Sequence, residues 1–208
     1  SCYAESQDGI RWEKPGLKLF RVMGKRTNNV ILAGQPPFSH NFSPFVDTRP
    51  GVPADGRFKA LAGTSKLGLY VFVSGDGLRW KKWRDQPVLT RGAFDSQNVV
   101  FWSPAEQRYV AYFRTWTGGG FRGFRTISRA VSADMVSWSE PENMTFGATE
   151  MEHLYTSQTH PYVRAPHLYI ALPTRFAPSR GDSTEILFMS ARAGAPFSRL
   201  EQAVWQSG

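Results

Sequence analysis

Residues 131–138 read VSADMVSW, and the frame Ser-x-Asp-x-x-x-Trp recurs at 73–80 as VSGDGLRW and at 5–12 as ESQDGIRW. The serines at 6, 74 and 132 stand 68 and 58 residues apart, and a degraded fourth copy is read in MSARAGAPF, where Ser190 precedes Phe197. A frame returning at this interval marks a repeat architecture. Within each copy the Asp and Ser oxygens can close a tight turn on its own backbone, and the Trp offers apolar surface for packing between neighbouring units. Asp8, Asp76, Asp134 and their Trp partners are therefore read as scaffold and not as catalytic groups.

Working outward from the frame, GLYVFV (68–73), TISRAV (126–131) and EILFM (185–189) precede the serines and are strand-like. RFKALAG (57–63), RYVAYFRTW (108–116) and HLYIALPTRF (167–176) come before those, and NFSPFV (41–46), NVVFW (98–102) and LYTSQTHPYV (154–163) earlier still. With a last short strand carrying the Trp, each period holds four strands. Four short antiparallel strands per unit predict an all-β fold, a β-propeller of four-stranded blades. The blades fall at about 38–89, 90–145 and 148–205, with the tail of another at 1–20. The reading is a single propeller domain, about three and a half blades, incomplete at its N-terminus and at its C-terminus. A plain β-sandwich is the competing fold, but it does not predict the period.

The 208 residues are 41% hydrophobic and 14% aromatic, which supports a packed core and excludes a disordered chain. Net charge is +8, yet the basic residues are scattered with no run beyond a pair such as Lys81-Lys82, so no nucleic-acid footprint is read, and no apolar run approaches the length of a membrane span. An anionic partner of another kind fits the charge. Cys2 is the single cysteine and allows no internal disulfide.

In a propeller the innermost strands line a central funnel, and polar residues at their starts converge. Aligned on Phe58, Tyr109 and Tyr169, Asp95 lies 14 residues before its aromatic and Glu152 lies 17 before its own. The same offsets in the first full blade reach Asn41, beside His40, whereas Asp47 is out of phase, 11 residues before Phe58. Two facing carboxylates are what glycoside hydrolysis needs, one to protonate the leaving oxygen and one to activate water or attack. The alternative is that Asp95 caps its own turn and Glu152 is an exposed cap. Around the acids, His40, Asn41, Trp116, His153, His160, Arg164 and Arg175 are candidates for holding sugar hydroxyls, and Arg164 and Arg175 suit a carboxylate or sulfate. Arg175 and Arg164 equally suit a clamp on Glu152, and Trp116 equally suits an inter-blade core. The histidines have no tight spacing, so no metal motif and no cofactor is read, although a structural cation on the propeller axis is compatible with the sequence.

The frame SADMVSW, together with HNFSPFVDTRPG, AFDSQNVVFW and EHLYTSQTHPYVRAPHLYIALPTRF, resembles the five-bladed β-propeller glycoside hydrolases, the superfamily of families 32 and 43. It is most similar to the family-32-like catalytic domains of bacterial polysaccharide degraders. The resemblance implies a hydrolase acting on poly- or oligosaccharides, secreted or periplasmic, with Glu152 as general acid and Asp95 as the carboxylate that orients it. The base is Asp47 or an acid outside these residues. The chain departs from the family pattern where Asp95 follows Phe94 and Glu152 precedes His153, and it has no Trp-Met-Asn-Asp-Pro-Asn stretch. A non-catalytic carbohydrate-binding or interaction propeller is the rival, and a sialidase-like propeller would need Arg114, Arg164 and Arg175 to converge.

Overall fold

The computed structural model describes residues 1–35, 38, 41–146 and 150–196, with the backbone of 198 and 199. The first blade contains β1 (Ser43–Val46), β2 (Phe58–Thr64), β3 (Gly68–Ser74) and β4 (Lys81–Lys82); the second contains β5 (Val99–Ser103), β6 (Arg108–Trp116), β7 (Arg125–Ser132) and β8 (Glu142–Asn143). Both are antiparallel meanders in sequence order. The third is a meander whose long strands break: β9 (His153–Leu154), β10 (His160–Tyr162), β11 (Ala165–Ala171), β12 (Thr174–Ala177), β13 (Ser183–Ile186), β14 (Met189–Arg192) and β15 (Ser198–Arg199). Its lower part is the sheet β10-β11-β14-β15 and its upper part is β9-β12-β13. HLYIALPTRF, expected as one strand, divides around Leu172 and Pro173, because proline has no N–H to give the ladder. The fold is all-β, with the four-stranded antiparallel sheets of a propeller.

The outermost strands are two residues long, and Lys81-Lys82 in β4 are exposed. Short charged edges of this kind resist edge-to-edge pairing. For the same reason the Trp residues do not lie in a fourth strand, as expected, but at the end of the turn that leads to it; Trp138 makes only an isolated bridge to Ser132.

Alternation along the strands sends side chains to both faces of each blade, so the core lies between blades. Leu61, Leu69 and Val71 of the first blade meet Val100, Tyr109 and Phe113 of the second, with Trp138 packed on the cluster. Val99, Phe101 and Tyr112 on the other face of the second blade meet Tyr169, Met189 and Ala191 of the third. Leu32, from the N-terminal segment, completes a third cluster with Ala60, Ala62 and Phe72, and Trp80 packs there.

The three frames fold alike. Each Ser Oγ donates to its Asp Oδ1, at 3.1, 3.0 and 2.9 Å. That Oδ1 accepts the backbone N–H groups two and three residues on, Ile10 and Arg11, Leu78 and Arg79, Val136 and Ser137. The Trp indole N–H donates to the carbonyl three residues back. The residue after Asp takes a left-handed conformation, φ 75° at Gly9, 73° at Gly77 and 68° at Met135. In the third blade the pairing corrects the expected register. Ser74 faces Phe58 and Ser132 faces Tyr109, but Tyr169 faces Ala191, not Ser190. The degraded frame is thus Ala191, Ala193 and Gly194, the last at φ 76°. Both side-chain oxygens are gone and the glycine remains; Phe197 lies outside the described residues.

A second device joins blades at the end where the inner strands finish. The Tyr109 hydroxyl donates to Asp47 Oδ2 at 2.6 Å across the first interface, and the Tyr169 hydroxyl to Glu106 Oε1 at 2.6 Å across the second. Each acid is ion-paired within its own blade, Asp47 to Lys59 and Glu106 to Arg129. Burial and the Asp47 carboxylate raise the Tyr109 hydroxyl pKa well above the usual phenol value, keeping it a donor.

Candidate functional site

The inner strands β1, β5 and β10 border a channel lined by Phe42, Ser43, Phe45, Gln97, Val99 and His160. His160 belongs to this channel, its ring 6.1 Å from Phe101, rather than to the acids. At the end of the channel where the inner strands begin, Asn41, Asp95 and Glu152 come from three successive blades. The Asn41 amide donates to the Phe94 carbonyl, tying the start of β1 to the turn that carries Asp95. Ser96 donates to the Tyr155 carbonyl at 3.3 Å, tying that turn to the next blade.

Each acid on this face stands against an arginine. Asp95, 46% exposed at its side chain, is ion-paired to Arg114, which is 4% exposed. A buried cation thus presents an accessible carboxylate. Glu152 Oε1 accepts from Arg175 at 3.2 Å, and Arg175 is also paired to Glu185, which Arg180 holds as well. Arg175 and then Arg180 lower the pKa of Glu185 below the ordinary glutamate value.

Between the two acids lies a cluster of rings and guanidinium groups. Arg114 stacks 4.6 Å from Tyr155. Arg125 lies 4.7 Å from Trp116, 4.9 Å from Phe176 and 5.8 Å from Tyr155. The register explains the arrangement: Trp116 faces Arg125 across the β6–β7 ladder, and Phe176 faces His153 across β12–β9. His153 Nδ1 accepts the Arg125 backbone N–H at 3.0 Å, and its ring sits 5.0 Å from Phe124 and 6.3 Å from Trp116. Burial and the Arg125 charge both push its pKa below the usual imidazole value, so at neutral pH Nε2 carries the proton.

The structure therefore gathers Asn41, Asp95, Trp116, Glu152, His153 and Arg175 on one face. Asp47 lies at the other end of the blade, its carboxylate held by Lys59, Tyr109 and the Arg49 backbone N–H. It is the counterpart of Glu106, and its surroundings are those of a scaffold latch. Arg164, in the turn between β10 and β11, is exposed at that same far end, so Arg114, Arg164 and Arg175 do not converge. His40 lies outside the described residues. Tyr155, Arg125, Phe176 and Glu185 were not singled out from sequence; the Trp116–Arg125 pair was accessible in principle, because both flank the hairpin loop at 117–124. Among the described residues no group of three His, Cys, Asp or Glu side chains is placed to hold a metal ion, and no helix is long and apolar enough to cross a membrane.

No protein-family model matches the chain, and no curated protein matches it. Solved structures do. An N-acetylgalactosamine deacetylase from F. plautii, in complex with blood group B trisaccharide, superposes with TM-score 0.59 at 14% identity, over 94% of this chain and 59% of that one. A second protein, solved as an RGII complex, gives 0.59 at 15%, over 96% of this chain and 64% of the other. A GH93 α-L-arabinofuranosidase of Fusarium graminearum, solved with arabinobiose, gives 0.50 at 13%, over 96% and 54%. The chain thus spans less than two thirds of the length of each, and what it shares with them is the fold.

Proposed function

We propose that this chain is a glycosidase-like domain that holds a poly- or oligosaccharide across the face carrying Asp95 and Glu152 and hydrolyses a glycosidic bond there. The observation that carries the reading is the presentation of two carboxylates from adjacent blades on either side of an aromatic and arginine platform. Rings of this kind accept the C–H faces of sugars, while carboxylates and guanidinium groups take their hydroxyls. The sugars bound by two of the structural neighbours accord with this. In the proposed reaction Glu152 gives its proton to the glycosidic oxygen as the bond to the anomeric carbon breaks. Water supplies the hydroxyl that replaces it, and its proton passes to a base. Asp95, fixed by Arg114, orients the acid. With Asp47 engaged in its latch, the base is an acid outside these residues, on a further blade of a five-bladed ring.

A second reading, a carbohydrate-binding propeller without turnover, is favoured by the arginine beside each acid, since each guanidinium engages the carboxylate as in a scaffold ion pair. The test is release of new reducing ends from neutral and anionic polysaccharides by the protein together with the blade that would carry the base, and by its Glu152→Gln form. Loss of about a hundredfold or more in rate with binding retained is the expected result. Binding without any turnover by either protein establishes the second reading, and absence of binding to every sugar overturns both.

A further inference from the structure

A cavity of about 490 Å³ lies not at the acids but in the groove between the first two blades. Its size is that of a small-molecule site. Trp116 and Phe121 form an aromatic wall, with ring centres 6.1 Å apart, edge to face. Thr115, Ser128 and Asn143, which also line it, form a hydroxyl and amide network: Asn143 Oδ1 accepts from Ser128 at 2.8 Å and from Thr115 at 3.1 Å. Both bonds use the carbonyl side of Asn143, and no protein acceptor of its amide N–H groups is found among the described residues. Arg91 and Glu140 close the rim as an ion pair, which leaves that wall without net charge.

Phe121 shows the backbone cost of this arrangement. It sits at φ 78° in a loop whose Gly119, Gly120 and Gly123 are also left-handed, and its side chain is 58% exposed. A bulky residue gains nothing in stability from that conformation, and strain of this kind gathers at binding sites.

We propose that the groove is a second glycan subsite, taking one neutral sugar residue with its C–H face on the Phe121 and Trp116 wall and its hydroxyls toward Asn143 and Thr115. Trp116 belongs to both places, lining the groove on one side and approaching His153 on the other, so an oligosaccharide crossing it engages the groove and the acid face together. The proposal rests on the carbohydrate reading above and deepens it.

The test is calorimetric titration with neutral hexasaccharides of β-1,4-xylose, α-1,5-arabinose, β-1,4-galactose and β-1,4-glucose, and with hexagalacturonate, against wild type and the Phe121→Gly, Phe121→Tyr and Asn143→Ala variants. Phe121→Gly and Asn143→Ala are each expected to weaken the best neutral hexasaccharide about 5- to 10-fold, while Phe121→Tyr keeps the wild-type affinity. Phe121→Gly is expected to leave the melting temperature equal or higher, because glycine accepts the left-handed backbone. Equal affinity of wild type and all variants overturns the subsite and leaves the acid-face function standing. Binding of hexagalacturonate alone overturns the neutral subsite. Binding of no hexasaccharide overturns both readings.

Discussion

Met135 occupies the left-handed position that Gly9 and Gly77 hold in the other two frames, yet its side chain is fully buried beside Trp102, Tyr109 and Trp138. The left-handed backbone costs a non-glycine residue about 1–2 kcal/mol, and burying a methionine contributes about 1.5–3 kcal/mol, so burial outweighs strain. Met135→Gly is expected to lose about 2–4 kcal/mol of stability by urea unfolding, because the cavity term adds to the lost transfer energy. A gain on the same substitution would show that backbone strain dominates at this turn. The aspartates of the frames set an acid limit. For Asp76 the Arg79 and Leu78 backbone N–H groups lower the pKa despite burial; for Asp134 burial, the largest influence, is outweighed by the Ser137 and Val136 N–H groups. Their folded pKa lies below the unfolded value near 4, so the stability they contribute is present above about pH 4 and is lost as pH falls further. Asp134→Asn retains an acceptor but not the charge, and should flatten the stability profile below about pH 4 measured by denaturant titration. An unchanged profile would remove the turn from the acid response. His153 acts over a separate window. Its folded pKa is depressed, so its neutral form stabilises the fold above the unfolded value near 6.5 and that contribution declines as pH falls below it.

At the scale of elements, the two latches explain why adjacent blades hold a fixed register. Asp47 and Lys59 are both buried, and the pair is joined to the next blade by Tyr109. Removing the tyrosine hydroxyl leaves the ion pair whole, so Tyr109→Phe should cost about 0.5–1.5 kcal/mol. Asp47→Asn instead leaves Lys59 as an uncompensated buried charge and should cost about 3–5 kcal/mol. Denaturant unfolding of the two variants separates the roles: a well-folded Asp47→Asn protein with lost turnover would mean that Asp47 serves the reaction and not the scaffold. The contrast between Asp47 and Asp95 was partly legible in the sequence. Phase relative to the aromatic of the second strand placed Asp95 and Glu152 ahead of their inner strands, since strand length and a short turn fix that offset. Nothing local to Asp47 revealed its partners, because Tyr109 lies 62 residues away, and in the repeat of the latch at Glu106 the paired cation stands 23 residues on, against 12 for Lys59 from Asp47. The second blade read directly because β6 is an unbroken nine-residue strand facing a clear repeat frame. In the third blade, Pro173 interrupts the ladder and Ser190 imitates a frame serine one residue early, so that expectation slipped by one position.

For the whole molecule the excess of positive charge and the geometry of the face make separable statements about ligands. The 25 Lys and Arg residues exceed the 17 Asp and Glu by 8, and they are dispersed through the sequence, so the attraction they exert on a polyanion is diffuse. On the face itself two of the arginines are already paired with carboxylates, Arg114 with Asp95 and Arg175 with Glu152 and Glu185, while Arg125 lies among the rings of Trp116, Tyr155 and Phe176. A diffuse field is screened within about 10 Å at 0.1 M salt, whereas stacking on rings and hydrogen bonds to amides are almost indifferent to salt. Affinity for an acidic polysaccharide should therefore fall steeply, by about tenfold or more, as salt is raised from about 0.05 to 0.5 M, while affinity for a neutral hexasaccharide should change by less than about twofold. The measurement is a pair of salt titrations by calorimetry on the wild-type protein. Acidic-polymer binding that persists at high salt would mean that a guanidinium leaves its carboxylate to grip the ligand directly, with Arg175 the first to examine, because its 3.2 Å contact to Glu152 is only one of its two ion pairs.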